Sequence, residues 1–221
     1  STSDAYVTVE RHGTRVTAEL ELEYDLLMKS AWLYAEAYEA TDRDERLRQL
    51  AGNADDVDAY VTERFVLDAD MSQVVLPKLR PAARTDELWR HTCFEVFVAL
   101  PDSDAYCELN FSPSTEWAMY GFVAYRRGMT PIEVRRPPRV AVRPTQRGLV
   151  LTAVTYLAEL PMPQPGSPLR AGAAAVVEEK DGRLTYWALT HPSALPDFHH
   201  RLGFVLQVGK ERRDQRRVEL L

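Results

Sequence analysis

Residues 88–129 read LWRHTCFEVFVALPDSDAYCELNFSPSTEWAMYGFVAYRRGM, and this stretch decides the fold. Three runs, Leu88 to Ala99, Tyr106 to Phe111 and Trp117 to Arg126, are apolar or alternating. Pro101-Asp102 and Ser112-Pro113-Ser114 separate them, so they read as antiparallel strands joined by turns. With turns centred on Asp102-Ser103 and Ser114-Thr115, one face carries Phe94, Val96, Val98, Cys107, Leu109, Phe111, Ala118, Tyr120 and Phe122. That apolar face is expected to be the core. The opposite face carries His91, Cys93, Glu95, Phe97, Tyr106, Glu108, Asn110, Ser112, Trp117, Met119, Gly121 and Val123.

Two readings of this second face stay open. Antiparallel sheets often leave one face in water. The face also reads as a ligand platform, with rings for flat apolar contact and Glu and Asn for directional hydrogen bonds. Phe97, Trp117, Met119 and Val123 suit water poorly. Glu95 beside Asn110, with Glu108 nearby, is costly to cover unless paired or used.

Upstream, residues 6 to 22 alternate around Arg11-His12-Gly13-Thr14, which predicts a hairpin. From Asp25 to Leu50 apolar residues recur near helical spacing, with Trp32, Tyr34 and Tyr38 among them and Gly52 as a stop. A second helix is predicted from about Asp55 to Glu63, giving a helical insertion over 24–63. Downstream, Val140 to Arg143, Leu149 to Leu157, Ala173 to Glu179, Leu184 to Leu189 and Gly203 to Val208 are short strand-like runs between Pro and Gly turns. The fold class is therefore mainly β, an antiparallel β-sandwich with an inserted α-helical segment near the N-terminus. Residues 1–221 read as one domain, and the charge run within 210–221 reads as a frayed tail.

The chain has 221 residues, 27 Lys+Arg against 33 Asp+Glu, and a net charge of −6. With 45% hydrophobic residues it has ample material for a core, which excludes disordered and collagen-like classes. Its acidic balance excludes a general nucleic-acid binder. Cys93 and Cys107 are too few for a disulfide scaffold or a cysteine zinc site, and on adjacent strands they face opposite ways. They read as buried thiols of a cytoplasmic protein. No apolar run approaches the roughly 20 residues that span a bilayer, so no membrane association is expected. Ser1-Thr2-Ser3-Asp4 does not open a signal peptide.

The same residues carry a resemblance. Leu88 to Glu95, Glu108 to Ser114 with Trp117-Ala118, Tyr125-Arg126, Tyr186 to Leu189 with His191-Pro192, and Pro196 to His200 with Gly203-Phe204 resemble bacterial DOMON-like proteins. Those have the fold of the family 9 carbohydrate-binding modules. The resemblance covers about residues 64–209 and implies a sandwich that binds a small molecule, a sugar or haem across the wider superfamily. The family has a basic residue at the position of Gly121, an acidic one at Val123 and a smaller one at Met119. These departures imply an emptier, more apolar pocket. The segment 24–63 is also unlike the family, as a lid or a partner surface would be.

Other constellations weigh less. His191, Asp197, His199 and His200 match no metal-ligand spacing and read as turn hydrogen bonding, so no metal and no cofactor are expected. Met119 and His91 sit on one face as a haem pair would, but on non-adjacent strands and without an attachment motif. Ser112, before Pro113, reads as a turn residue. Glu95 and Glu108 are a candidate acid–base pair.

The leading expectation is a small, partly apolar ligand on the central sheet face. His91, Phe97, Tyr106, Asn110, Trp117, Met119 and Gly121 would bind it, with Glu95 and Glu108 orienting its polar groups. The alternative is an enzyme on the same scaffold, a cyclase or isomerase of an apolar metabolite in which Glu95 or Glu108 is catalytic. A third reading is haem binding or protein interaction, including a homodimer through the helical segment.

Overall fold

The computed structural model describes residues 3–11, 13–25, 58–161, 168–208 and 218–219. In chain order the strands are β1 Ser3–Arg11, β2 Thr14–Asp25, β3 Asp58–Asp68, β4 Val74–Val75, β5 Cys93–Ala99, β6 Tyr106–Phe111 and β7 Trp117–Phe122. They continue with β8 Thr130–Pro131, β9 Arg139–Thr145, β10 Gly148–Tyr156, β11 Leu169–Glu179, β12 Leu184–Ala188, β13 Leu206–Val208 and β14 Val218–Glu219.

One sheet has the order β14-β1-β2-β3-β10-β9. The other runs β12-β11-β5-β6-β7-β8, with β4 and β13 also paired to β11. The pairings are antiparallel except for β14, which lies parallel to β1. The sheets pack face to face. Val16, Phe65, Leu67, Leu149 and Leu151 of the first meet Phe94, Val96, Leu109, Phe111, Ala173 and Ala175 of the second in one cluster. The Phe65 and Phe94 rings stack at 5.0 Å. The expected antiparallel sandwich is therefore observed, and its N-terminal hairpin turns at Gly13 with φ 77°.

The expected helical insertion is corrected at both ends. Residues 24–25 complete β2, and Asp58 to Glu63 open β3, which pairs with β2 on one side and β10 on the other. Ladders on both edges override local helix propensity there. Glu63 disguised the alternation, because it stands on the inward face between Val61 and Phe65 and is 1% exposed. Residues 26–57, with Trp32, Tyr34, Tyr38 and the subunit contact read on them, lie outside the described residues, as do 209–217. Val218–Glu219 of the tail is a strand. Among the described residues no helix is long and apolar enough to cross a membrane.

The central hairpins hold one expected register and shift the other. Phe94 faces Phe111 and Glu95 faces Asn110, as the first turn predicts. On β7, however, Phe111 faces Trp117, Leu109 faces Met119 and Cys107 faces Gly121. The cause is a three-residue loop. The Ser112 N–H donates to the Glu116 carbonyl and the Thr115 N–H to the Ser112 carbonyl, both at 2.9 Å, with Thr115 at φ 76°. A type I turn closed by a left-handed residue slips the pairing by one, and one residue turns every β7 side chain over. Trp117 and Met119 thus join the core, while Ala118, Tyr120 and Phe122 point outward. The two cysteines are free, buried and on opposite faces, as expected.

Candidate functional site

The outer face of β5 and β6 is covered rather than wetted, and every residue of both strands is buried. The C-terminal segment covers one part. Phe204 stacks on Phe97 at 5.7 Å, and Gly172, opposite Phe97, permits this approach. A Cβ at Gly172 would lie 3.0 Å from both the Gly203 carbonyl oxygen and Phe204 Cδ1. Beside this covered part a cleft of about 570 Å³ stays open.

Glu95 and Glu108 form the cleft floor, diagonal neighbours on β5 and β6. Val176 of β11 lies beside them. Trp89 and Arg90 come from a single 3-10 turn, Leu88–Arg90, before β5. Phe122, Arg126 and Met129 come from the end of β7 and its following loop, and Leu184 and Tyr186 from β12. Pro196, Phe198 and His199 close the far side. Trp89 is held edge-on against Tyr120 at 5.6 Å, and the Tyr120 hydroxyl donates to Asp86 Oδ1. Glu87 at φ 62° and Arg126 at φ 51° flank the cleft, two of the three non-glycine residues with positive φ among those described. Such strain is held where the surrounding structure over-determines the backbone.

The floor carboxyls have unequal surroundings. Glu108 Oε1 accepts from Asn110 Nδ2 at 2.7 Å, and its Oε2 lies 3.7 Å from His199 Nε2. Glu95 is 4% exposed and, among the described residues, has no hydrogen-bond partner. Burial, and then the neighbouring Glu108, push Glu95 well above the ordinary glutamate value, against the pull of Arg126. Burial raises Glu108 as well, opposed by the Asn110 bond and by Arg126.

A hydrogen-bonded chain fixes the far wall. The Arg126 backbone N–H donates to Tyr106 Oη at 3.1 Å. Tyr106 Oη lies 2.8 Å from His199 Nδ1, and because it already accepts from the Arg126 N–H we assign its own proton to Nδ1. Burial first, then Arg126, lowers His199 to about 4, so its ring is neutral near pH 7. A neutral ring that accepts at Nδ1 carries its proton on Nε2, facing Glu108. Asp197 ties the loops together, accepting from Tyr125 at 2.5 Å and from Arg126 Nη2 at 2.9 Å. Against burial, these bonds hold Asp197 below its usual value.

The structure therefore brings together Glu95, Glu108 and Asn110, which positions Glu108. Tyr106 and Phe97 share the outer face but are packed beneath the wall. Trp117, Met119 and Gly121 are corrected to the inward face by the slipped register, and none lines the cleft. The emptier, more apolar pocket inferred from Met119, Gly121 and Val123 is corrected with them, since Val123 is exposed. His91 is also outside, exposed, with Nδ1 2.8 Å from Glu178 Oε2. A haem held between His91 and Met119 is contradicted, because the sheet separates them. Sequence reasoning missed Trp89, Phe122, Arg126, Tyr186, Phe198 and His199 as lining residues. Five of the six lie in the segments that carry the family resemblance, which was the available signal. His200 makes the expected turn bond, accepting from the Leu202 N–H, whereas the Asp197 side chain bonds to Tyr125 and Arg126 of another loop. Among the described residues no group of three or more His, Cys, Asp or Glu is placed to hold a metal ion.

Against protein-family models and against curated protein sequences the chain has no match. A Bacteroides uniformis protein provisionally described as carbohydrate-binding superposes with TM-score 0.53 at 9% identity, covering 91% of this chain and 84% of that one. Two complexes of a family 9 carbohydrate-binding module from Caldicellulosiruptor kristjanssonii, with glucose and with cellotriose, superpose at TM-scores 0.39 and 0.40. Both are 10% identical and cover 84% of the module, with 96% and 98% of this chain. Superpositions this loose carry no residue across. The first shows a shared fold alone: this chain has the antiparallel sandwich of that protein.

Proposed function

We propose that the chain binds a small molecule in the outer-face cleft, with polar groups on Glu95 and Glu108 and a partly apolar surface against the ring walls. One observation carries this reading. Glu95 is buried, opens into the cleft and has no hydrogen-bond partner among the described residues. Its carboxyl is not sealed among protein atoms: it opens into the cleft, where a ligand can reach its free hydrogen-bonding positions. Rings and a few convergent polar groups are what such sites present. The described carbohydrate binding of the Bacteroides protein makes saccharides the first ligands to try.

A second reading is favoured by the inequality of the two carboxyls. Glu95 is unpartnered and shifted by burial toward its neutral form, whereas Glu108 is held by Asn110. Carboxyls whose surroundings differ in this way divide acid and base roles. On this reading Glu95 donates a proton to a bound metabolite and Glu108 accepts one.

Titration of saccharides and small polar metabolites into wild type, Trp89→Ala and Glu95→Gln, followed by calorimetry and by product analysis, tests both. A binding site predicts at least about tenfold weaker binding in Trp89→Ala, the scale of a lost ring contact. An enzyme predicts product from the wild type and none from Glu95→Gln. If Trp89→Ala and Glu95→Gln bind every ligand as the wild type does, the cleft is not the site.

A further inference from the structure

The charges of the cleft, read as a ligand site, identify the class of its ligand. Each guanidinium at the rim already has a carboxylate. Arg126 Nη2 lies 2.9 Å from Asp197 Oδ1, and Arg90 Nη2 lies 2.8 Å from Glu87 Oε1. His199 is bonded through Nδ1 to Tyr106 and offers only its neutral Nε2–H to Glu108. On β11, Ala174 faces Glu95 and Val176 lines the cleft. On its own strand Glu95 has Cys93, whose Sγ donates to the Phe94 carbonyl and to Asn110 Oδ1. The floor thus has two buried carboxyls, and the one guanidinium that acts on both, Arg126, is already paired with Asp197. Glu95 is 4% exposed with no hydrogen-bond partner among the described residues, and four rings surround the space above it.

We infer that the cleft takes a ligand bearing an organic ammonium group, seated over Glu95 and Glu108 among the rings of Trp89, Phe122, Tyr186 and Phe198. Buried carboxylates are stable when paired, and an ammonium brings the positive charge missing here, with donor protons as well where its nitrogen carries N–H. Aromatic rings add attraction to a desolvated cation, which a neutral sugar does not receive. The inference rests on the cleft being the ligand site and adds its charge preference.

It has a consequence for protons. Without ligand Glu95 is held as the neutral acid by burial and Glu108, with Arg126 opposing. A seated cation favours its carboxylate, so binding displaces a proton to solvent. Affinity for a cation then rises with pH by up to about tenfold per unit while Glu95 is protonated in the free protein. A neutral ligand gives no such slope.

The experiment is calorimetry of wild type and Glu95→Gln with choline, glucosamine, glucose and N-acetylglucosamine, from about pH 5 to about pH 7, in buffers of different ionisation enthalpy. The expected result is binding of choline or glucosamine at least about tenfold tighter than of the two neutral sugars, with proton release. Choline, whose charge does not titrate, carries the pH slope. Glu95→Gln, which has the shape of the neutral acid, loses the slope and the preference for cations. The slope is read on the wild type and does not depend on the variant folding. Glucose or N-acetylglucosamine binding as tightly as the cations, without proton release, overturns the inference and leaves the cleft reading standing. Binding of none of the four overturns the inference and counts against the cleft reading too. Unchanged cation binding by Glu95→Gln overturns the inference as well.

Discussion

Glu95 stands directly opposite Asn110 on the neighbouring strand, yet the Asn110 amide donates to Glu108, at 2.7 Å. The side chain best placed by the ladder to satisfy Glu95 thus turns to the second carboxyl instead. This relationship divides the cleft floor into one carboxyl held by an amide and one without a partner among the described residues.

The β6–β7 register is open to a chemical test. Cys107 faces Gly121 across the ladder, both on the inward side. Directly opposed residues lie about 4.5–5.5 Å apart between Cα atoms, within disulfide range. A Cβ at Gly121 would find its nearest neighbour at 3.7 Å, so a side chain fits. Gly121→Cys is therefore expected to form a disulfide with Cys107 on oxidation, read as the loss of two titratable thiols. In the register centred on Ser114-Thr115, position 121 points outward opposite Glu108 and no bond forms.

That register marks where the sequence stops being legible. Alternation on β5 and β6 places Phe94, Val96, Leu109 and Phe111 inward without ambiguity, and the structure agrees. The next turn depends on Thr115 adopting φ 76°, a conformation that β-branched residues rarely take. Nothing in Ser-Pro-Ser-Thr-Glu distinguishes a three-residue loop from an even one. Glu95 and Glu108 were legible because they lie on the well-read pair. Trp89, Arg126, Tyr186 and His199 come from four separate segments, and only the tertiary packing brings them to the same cleft.

Glu63 makes a second prediction, on stability. It is 1% exposed between the sheets, and its Oε2 meets no hydrogen-bond partner. Burial pushes its pKa well above the ordinary value. The folded state therefore holds this proton more tightly than the unfolded chain. Its share of stability is fully present below the unfolded pKa and is lost as pH rises through the folded one. Glu63→Met is expected to gain about 1–3 kcal/mol at pH 7 and to flatten the alkaline decline of Tm. Scanning calorimetry across pH checks this; a less stable variant would mean that the carboxyl has a compensating partner.

His199 titrates with the opposite sign. Its folded pKa of about 4 lies below the unfolded value, so the unfolded chain binds more protons between the two. The stability this provides is lost as pH falls through that window. Ring nitrogen NMR is expected to show a bare Nδ1 and a protonated Nε2 at about pH 6, where a free histidine is already charging. A proton on Nδ1, or a charged ring at that pH, would break the hydrogen-bond chain from Arg126 through Tyr106.

Asp197 separates the rim charge from the floor. It is bonded to Arg126 and to Tyr125, and its side chain is 13% exposed. Asp197→Asn is expected to lower stability by about 1.5–3 kcal/mol, the scale of a hydrogen bond to a charged group. The released guanidinium is then free to approach Glu95 and supply the missing cation, so the Glu95 pKa falls and ammonium binding weakens. Denaturant unfolding and carboxyl titration read the two effects; no change in either would show that the clamp does not set the cleft's charge.

Glu95 is the side chain on which ligand binding in the cleft turns. Carbon-13 labelling of glutamate side-chain carboxyls, with the Glu95 resonance assigned by its loss in Glu95→Gln, measures this directly. In the free protein Glu95 is expected to titrate well above the ordinary glutamate range, and its resonance to move toward the ionised position when choline or glucosamine is added. Titration of Glu95 in the ordinary range in the free protein, with no response to either probe, would contradict it.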